Sequence, residues 1–244
     1  MRLLLLLLCF ILAGCATTAS TLVPSEEPEW LSWPLVEAPF SEPPLESLPV
    51  VERPLPPKRL VTKAHKLVGL STLRVTAPHL PDDCTGLARA VYEDSGINLM
   101  GSGVRGDNGV TAMYRLAFER SALHTSAPEP GDLVFFRETY DRNRDGKQND
   151  GLTHVGVVVS VDEDGTVQFV HRIHGGVKRG KLSVEAPLDK SRNDYLRPAK
   201  KNATAALTGE LFVTFASASR LANAYRAETA ILQRPERTER PDTR

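Results

Sequence analysis

The sequence predicts an α+β fold in which helices come first and the strands of a small antiparallel sheet follow. Apolar residues recur at helical spacing between residues 58 and 118, and short β-branched or aromatic runs occupy residues 133–170. Asp164-Gly165 separates the last two runs and is a hairpin signal, which indicates antiparallel pairing. A chain of 244 residues can hold one such domain with appendages, and we place the domain at residues 58–200.

Three helices are expected in the first half of the domain. The first covers residues 58–69, the second runs from Cys84 to the turn signal Ser95-Gly96, and the third ends before Ser121. In each helix the apolar residues recur every three or four positions and form one face. These residues are Leu60, Ala64 and Leu67 in the first helix, Leu87, Ala90 and Val91 in the second, and Val110, Met113, Tyr114, Ala117 and Phe118 in the third.

Three strands and a C-terminal helix are expected after residue 130. The strands cover residues 133–136, 155–161 and 167–170. One apolar stripe predicts a continuous helix over residues 203–232, within a C-terminal segment at 201–233. We expect this additional helix to pack on the domain; binding a partner or a second copy is the alternative. The charged residues 234–244 are expected to be disordered.

The N-terminus resembles a bacterial lipoprotein signal. Arg2 precedes the apolar run 3–12, which is too short to span a bilayer, and Ala13-Gly14-Cys15 resembles a lipobox. The resemblance implies that residues 1–14 are removed, that Cys15 is lipidated, and that the protein is anchored to the outer membrane facing the periplasm. An ordinary signal peptide cut nearby is the alternative.

Residues 15–57 are predicted to form a tether rather than a folded domain. The segment is rich in proline and glutamate, and each proline removes a backbone donor and fixes φ. Trp30 and Trp33 lie in it and could dock on the domain, touch the membrane or bind a protein partner; docking is favoured. The chain has 30 basic and 30 acidic residues, so its net charge gives no argument for nucleic acid.

Cys84 is the candidate nucleophile. Cys9 lies in the apolar run and Cys15 in the lipobox, so Cys84 would be the one thiol without a disulfide partner after export. Its place at the first turn of a helix offers free amides and a helix dipole that stabilise a thiolate and can form part of an oxyanion hole. With an imidazolium nearby, such settings lower the pKa of a thiol from about 8.5 to roughly 3.5–7.5.

Two of the six histidines are placed to serve as a base. His154 opens the strand at 155–161 and His171 closes the strand at 167–170, and the turn between them makes these strands neighbours. Two neighbouring imidazoles suit a base and the group that orients it. The other candidates are His65, His79, His124 and His174.

Four blocks of sequence resemble the NlpC-type cell-wall cysteine peptidases, which are related to papain-like and CHAP amidase folds. The blocks are Asp83-Cys84-Thr85-Gly86-Leu87, Gly131-Asp132-Leu133-Val134-Phe135-Phe136, His154-Val155-Gly156-Val157-Val158 and Phe169-Val170-His171. The resemblance implies a papain-like domain, with the nucleophile's helix packed on the sheet, that cuts amide bonds in peptidoglycan stem peptides. It implies Cys84 as nucleophile, His154 as general base and His171 as the group orienting it, with Asp132 structural.

Two alternatives to a stem-peptide endopeptidase stay open at this point. An N-acetylmuramoyl-L-alanine amidase would use the same scaffold and the same Cys84. A non-catalytic lipoprotein that binds the cell envelope through a degenerate hydrolase fold belongs to a different class.

The insertion at residues 137–153 resembles the first half of an EF-hand calcium loop. Oxygen side chains alternate and a glycine follows, but Leu152 stands where the twelfth position carries a bidentate acid. A structural calcium ion and a solvated polar loop both fit this pattern, and the chemistry itself requires no cofactor. The candidate ligands are Asp141, Asn143, Asp145, the Lys147 carbonyl, and Asn149 or Asp150.

Overall fold

The computed structural model describes residues 57–101, 104–199 and 204–232. None of the helices in this part of the chain combines the length and the apolar character needed to cross a membrane. Several predicted features lie outside the described residues: the signal segment 1–14, the lipidation site Cys15, the tether with Trp30 and Trp33, and the tail 234–244.

The first half of the domain is helical, as predicted. Helix α1 spans Pro57–Leu67, α2 spans Cys84–Glu93 and α3 spans Gly109–Glu119, and a 3₁₀ turn lies at Leu73–Val75 between the first two. Asn108 caps α3 through a hydrogen bond from the Thr111 amide, and α2 has an aspartate cap described below. Polar caps of this kind satisfy amides that have no partner within the helix, which fixes where each helix begins.

The strands are β1 Leu123–His124, β2 Leu133–Arg137, β3 Leu152–Val161, β4 Val167–Ile173, β5 Gly176–Leu182, β6 Tyr195–Arg197, β7 Ala206–Leu207 and β8 Phe212–Ala216. Six of them form the main sheet, which is antiparallel and has the order β1-β8-β2-β3-β4-β5. The three predicted strands are present as β2, β3 and β4, which confirms the α+β class, while the other three strands of the sheet were not predicted. A separate two-stranded ladder pairs β6 with β7.

The prediction of one continuous helix over residues 203–232 is wrong in its first half. Strand β7 is followed by a single turn, α4 at Thr208–Leu211, and by strand β8, so that helix α5 occupies only Ala218–Leu232. Strand β8 pairs on one side with β1 and on the other with β2. Because its aromatic and β-branched residues gain two hydrogen-bonding neighbours there, tertiary pairing overrides the local helical period. The domain therefore does not end at residue 200.

The main sheet separates two apolar clusters. Val157 of β3 packs with the helices, whereas the next residue, Val158, packs with Phe169 on the other side. Helix α2 is also tied to the turn before β2, because the buried Tyr92 hydroxyl donates a 2.7 Å hydrogen bond to the Gly131 carbonyl. The C-terminal end of α2 is thereby tied to the turn that leads into β2.

Candidate active site

One cavity of about 600 Å³ brings the predicted nucleophile and the predicted base together. Cys84 lines it from the start of α2, and His154 lines it from the beginning of β3. Tyr140 of the insertion and His174, just beyond β4, form other parts of the wall. The thiol and the imidazole share no hydrogen bond in this structure, as is common for catalytic groups before substrate arrives.

The cysteine is held by the local structure of the α2 N-terminus. Cys84 is the first residue of α2, and the Asp83 carboxylate accepts hydrogen bonds from the amides of Thr85 and Gly86 at 2.9 and 3.0 Å. The Thr85 hydroxyl donates a third bond to Asp83, at 2.6 Å. A Cβ on Gly86 would lie 1.7 Å from the Pro81 carbonyl oxygen, so glycine is required where the preceding segment folds over the helix.

The electrostatics of Cys84 differ from the sequence-based expectation. Burial, followed by the charge of Asp83, raises the pKa of the thiol to about 12, against the opposing effect of backbone hydrogen bonds from Val155, Thr85 and Cys84 itself. The expectation of a lowered pKa is therefore wrong for the resting state. The main physical reason is burial, which disfavours the charged thiolate; in addition, Asp83 places a negative charge beside the sulfur and occupies the Thr85 and Gly86 amides.

His154 and His171 form a hydrogen-bonded pair across β3 and β4. Nε2 of His154 lies 3.0 Å from Nδ1 of His171, and the two residues are only 6% and 5% exposed. Burial lowers the pKa of His154 to about 4. Burial, then the neighbouring charge of His154 in its protonated form, holds the pKa of His171 well below its usual value. Both rings are neutral at neutral pH.

An aromatic side chain supports this pair. The ring of Phe169 contacts His171 edge to face, with centroids 4.9 Å apart. Phe169 fits because a Cβ on either Gly156 or Gly180 would come within 2.7 Å of its ring. Gly156 and Gly180 thus make room for the ring that contacts His171.

The insertion after β2 is fastened to the domain beside the cavity. The Thr139 amide and hydroxyl both contact the Thr153 hydroxyl, at 2.8 and 2.9 Å. The Glu138 carboxylate accepts hydrogen bonds from the amides of Asp150 and Gly151 at 3.1 and 2.7 Å. Buried Arg197 donates to the Glu138 carbonyl at 3.0 Å. These bonds fix the wall that carries Tyr140.

The candidate calcium ligands are engaged within the insertion. In the described part of the chain, no group of three or more His, Cys, Asp or Glu side chains is arranged to hold a metal ion. Calcium binding stays a prediction. The side-chain oxygens of the predicted ligands accept bonds from nearby loop groups: Asp141 from Gly146, Asn143 from Asp145, Asp145 from Lys147 and Asn149, Asn149 from Asn143, and Asp150 from Arg142 and Asn143.

Asp132 has the structural environment that the sequence predicted. It is 2% exposed, and burial raises the pKa of its carboxyl. Its oxygens accept hydrogen bonds from the amides of Glu129 and Ala218, at 2.9 and 2.8 Å, and Oδ2 lies 3.2 Å from Nε2 of His124. Asp132 therefore joins the turn before β2 to the start of α5, and it engages His124 outside the cavity.

Two features of the cavity were missed by sequence reasoning. Asp83 could have been recognised, because an aspartate directly before a helix is a common cap. The ion pair between Asp82 and Arg172, both of which line the cavity, could not, because 90 positions separate the two residues and no local pattern links them.

The fold and cavity define a papain-like α+β domain with a cysteine and a histidine facing one cavity. Residues 77–172 match the family model described as the CHAP domain. This part of the chain is therefore a CHAP-related domain of the cell-wall cysteine peptidase and amidase type, as the resemblance implied. The match supports an enzyme that hydrolyses peptidoglycan. Neither a curated protein nor a solved structure gives a significant match.

Proposed function

We propose that this protein is a lipid-anchored cysteine endopeptidase that cuts amide bonds within peptidoglycan stem peptides. The observation that carries the proposal is the single cavity lined by Cys84 and His154, with His171 hydrogen-bonded behind the base. The family match supports the substrate class. The roles of the three residues follow from their chemistry and their placement.

In the proposed mechanism, Nδ1 of His154 takes the thiol proton as the sulfur of Cys84 attacks the scissile carbonyl carbon. The mechanism requires the tautomer in which Nε2–H of His154 donates to Nδ1 of His171, 3.0 Å away, because this leaves Nδ1 of His154 as the basic nitrogen. The C–N bond then breaks, and His154 gives the proton to the leaving amine. The product is a thioacyl-enzyme on Cys84.

Hydrolysis of the thioacyl-enzyme completes the cycle. His154 removes a proton from a water molecule, whose oxygen attacks the thioester carbonyl. The C–S bond breaks, the acid product leaves, and the proton returns to the Cys84 sulfur. The raised pKa of Cys84 and the lowered pKa of His154 favour a neutral resting pair, so proton transfer accompanies attack rather than preceding it.

The location is part of the proposal. A lipid on Cys15 and a tether at residues 15–57 would hold the domain at the outer membrane, facing peptidoglycan in the periplasm. Acyl chains contribute about 0.8 kcal/mol per buried methylene, which makes a multiply acylated cysteine a firm anchor. Substituting Cys15→Ala should release the protein from membranes in cell fractionation. A variant that stays membrane-bound would contradict the anchor.

Cleavage of purified muropeptides tests the chemistry. Wild-type protein should give shortened stem peptides, and Cys84→Ala should give none while keeping the wild-type melting temperature. His79→Gln is the matched control, because His79 is an exposed histidine paired with Glu93 at the surface. Activity retained in Cys84→Ala would overturn the assignment.

Mass spectrometry of the same digests decides between the two hydrolases that the CHAP match supports. An endopeptidase leaves part of the stem peptide on the sugar, whereas an amidase releases the intact stem from the N-acetylmuramoyl group. A wild-type protein that cleaves no muropeptide would instead support the non-catalytic envelope lipoprotein.

A further inference from the structure

We infer that the ion pair between Asp82 and Arg172 positions the nucleophile against the histidine pair. The inference rests on the proposed function, in that it assigns Asp82 and Arg172 as positioning residues for the Cys84–His154 chemistry. Both residues line the cavity, yet neither has been given a part in the reaction.

The pair has the geometry of a two-pronged clamp. Arg172 Nε lies 3.0 Å from Asp82 Oδ1, and Arg172 Nη2 lies 3.1 Å from Asp82 Oδ2. The two side chains are only 12% and 19% exposed. Two parallel charge-assisted bonds fix both distance and orientation, which a single ammonium contact does not.

The clamp is anchored to the segment that leads to the nucleophile. Asp82 also accepts hydrogen bonds from the Thr72 hydroxyl and the Leu73 amide, at 2.8 and 2.9 Å. The bonds from Arg172, Leu73 and Thr72, in that order, hold the pKa of Asp82 well below its usual value. Asp82 is therefore ionised across the range in which the enzyme would work.

The guanidinium makes hydrogen bonds within the protein from each of its nitrogens. Besides Asp82, Arg172 Nη2 donates to the Ser71 carbonyl at 3.3 Å, and Nη1 donates to the Ile173 carbonyl. Each of its three nitrogens thus has a protein partner. A guanidinium held in this way is better suited to joining β4 to the segment before α2 than to capturing a substrate carboxylate.

The ion pair and the histidine pair together link the segments that carry Cys84 and His154. Asp82 lies two residues before Cys84, and Arg172 directly follows His171, which contacts His154. The nucleophile and the base are thereby linked through the clamp on one side and the histidine pair on the other. Because misplacing reacting groups by about 1 Å can cost about 100-fold in rate, loosening the clamp should slow chemistry more than binding.

The test uses Arg172→Lys and Asp82→Asn in the full chain. We expect kcat on muropeptides to fall about 10- to 100-fold while KM stays within about threefold. Alkylation of Cys84 by iodoacetamide, followed by peptide mass spectrometry, should slow to a similar degree. This second readout needs no substrate, so it tests the clamp even if the wild-type protein cleaves no muropeptide. Failure to cleave muropeptides would defeat the proposed function but not the positioning role.

A matched control is present in the same domain. Arg115 and Asp107 form a pair of the same two-pronged geometry, at 2.9 and 3.1 Å, and neither residue lines this cavity. Arg115→Lys and Asp107→Asn should leave both rates within about twofold of wild type, as expected for an ion pair outside the site. Equal losses in the control variants would show general destabilisation and would overturn the inference.

Chemical rescue separates positioning from a purely structural role. Guanidinium ion, added below denaturing concentrations, should restore part of kcat and of the Cys84 alkylation rate in Arg172→Ala. If the Arg172 and Asp82 variants do not fold, Thr72→Val carries the test, since it removes one bond to Asp82 and should slow alkylation several-fold. Unchanged alkylation in every folded clamp variant, or a raised KM with unchanged kcat, would refute the positioning role.

Discussion

His154 and His171 meet across adjacent antiparallel strands with Nε2 and Nδ1 3.0 Å apart, and both rings are almost completely buried. A buried imidazole pair can hold one proton between its facing nitrogens but is costly to charge. The orientation of His154, the proposed base, is thus fixed by a neutral neighbour rather than by a carboxylate. The predictions below follow from that arrangement and from the surroundings of Cys84.

Removing His154 should cost more activity than removing His171. We expect His154→Gln to lower kcat at least about 1,000-fold, because it removes the proposed base, and His171→Ala to lower it about 100-fold through loss of orientation. His171→Asn should be milder than His171→Ala, since it keeps a polar partner. Steady-state kinetics on muropeptides measure all three. Equal losses in His171→Ala and His154→Gln would mean that His171 does more than orient the base.

The acid limit of activity should lie far below the usual titration range of histidine. Because burial lowers the pKa of His154 to about 4, the neutral base persists at mildly acidic pH. The pH profile of kcat/KM should therefore stay flat from pH 7 to about pH 5 and fall near pH 4. A half-loss of activity near pH 6.5, with the protein still folded, would show that His154 is not held neutral in this way.

The same burial should make folding sensitive to acid. The unfolded chain binds a proton at His154 near the usual pKa of 6.5, whereas the folded protein does so only near 4. Stability is therefore lost as pH falls from about 6.5 to 4, by about 3 kcal/mol from this residue. Urea unfolding at pH 7 and pH 5 should show the loss. The decrease in the free energy of unfolding between pH 7 and pH 5 should be smaller in His154→Gln than in wild type. It should be unchanged in the exposed control His79→Gln.

Replacing Asp83 should make Cys84 more reactive. The Asp83 charge is the second cause of the raised thiol pKa, after burial. Asn is also a good helix cap, so Asp83→Asn should keep the start of α2 while lowering the pKa of Cys84. We expect faster iodoacetamide labelling of Cys84 at pH 8 than in wild type. Asp83→Ala serves as the comparison, because it also loses the cap, at a cost of about 1 kcal/mol.

Calcium should act on the insertion rather than on the chemistry. We propose that the ion binds the loop from Asp141 to Asp150 and raises the melting temperature of the protein. Calcium-free protein should still cleave muropeptides at temperatures below its melting transition. Asp145→Ala should abolish the shift, whereas Glu163→Gln, outside the loop, should keep it. Calorimetry without a binding signal, together with unchanged melting in chelator, would leave the solvated polar loop as the correct description.

Local sequence patterns predicted much of this fold because most of its elements begin and end on local signals. Helix α2 begins after Asp83 and β3 turns into β4 through Asp164-Gly165, and both features appear as expected. Strand β8 was missed because its residues also fit a helical stripe, and only its pairing with β1 and β2 selects the extended form.

The candidate site was predictable in its membership but not in its electrostatics. Cys84, His154 and His171 follow from their positions at the ends of elements, and the structure brings them together. The direction of the Cys84 pKa shift depends on how deeply α2 is buried and on which groups use its free amides. Neither quantity is a property of a short stretch of sequence.

The sequence alone determined the class of fold, the thiol and the two imidazoles, because capping, periodicity and turn chemistry act over a few neighbouring residues. Tertiary structure decided the rest: the strand role of β8, the neutral state of the thiol and imidazoles, and the Asp82–Arg172 clamp. Each of these depends on burial or on a contact between segments far apart in the chain, and no local pattern encodes that proximity.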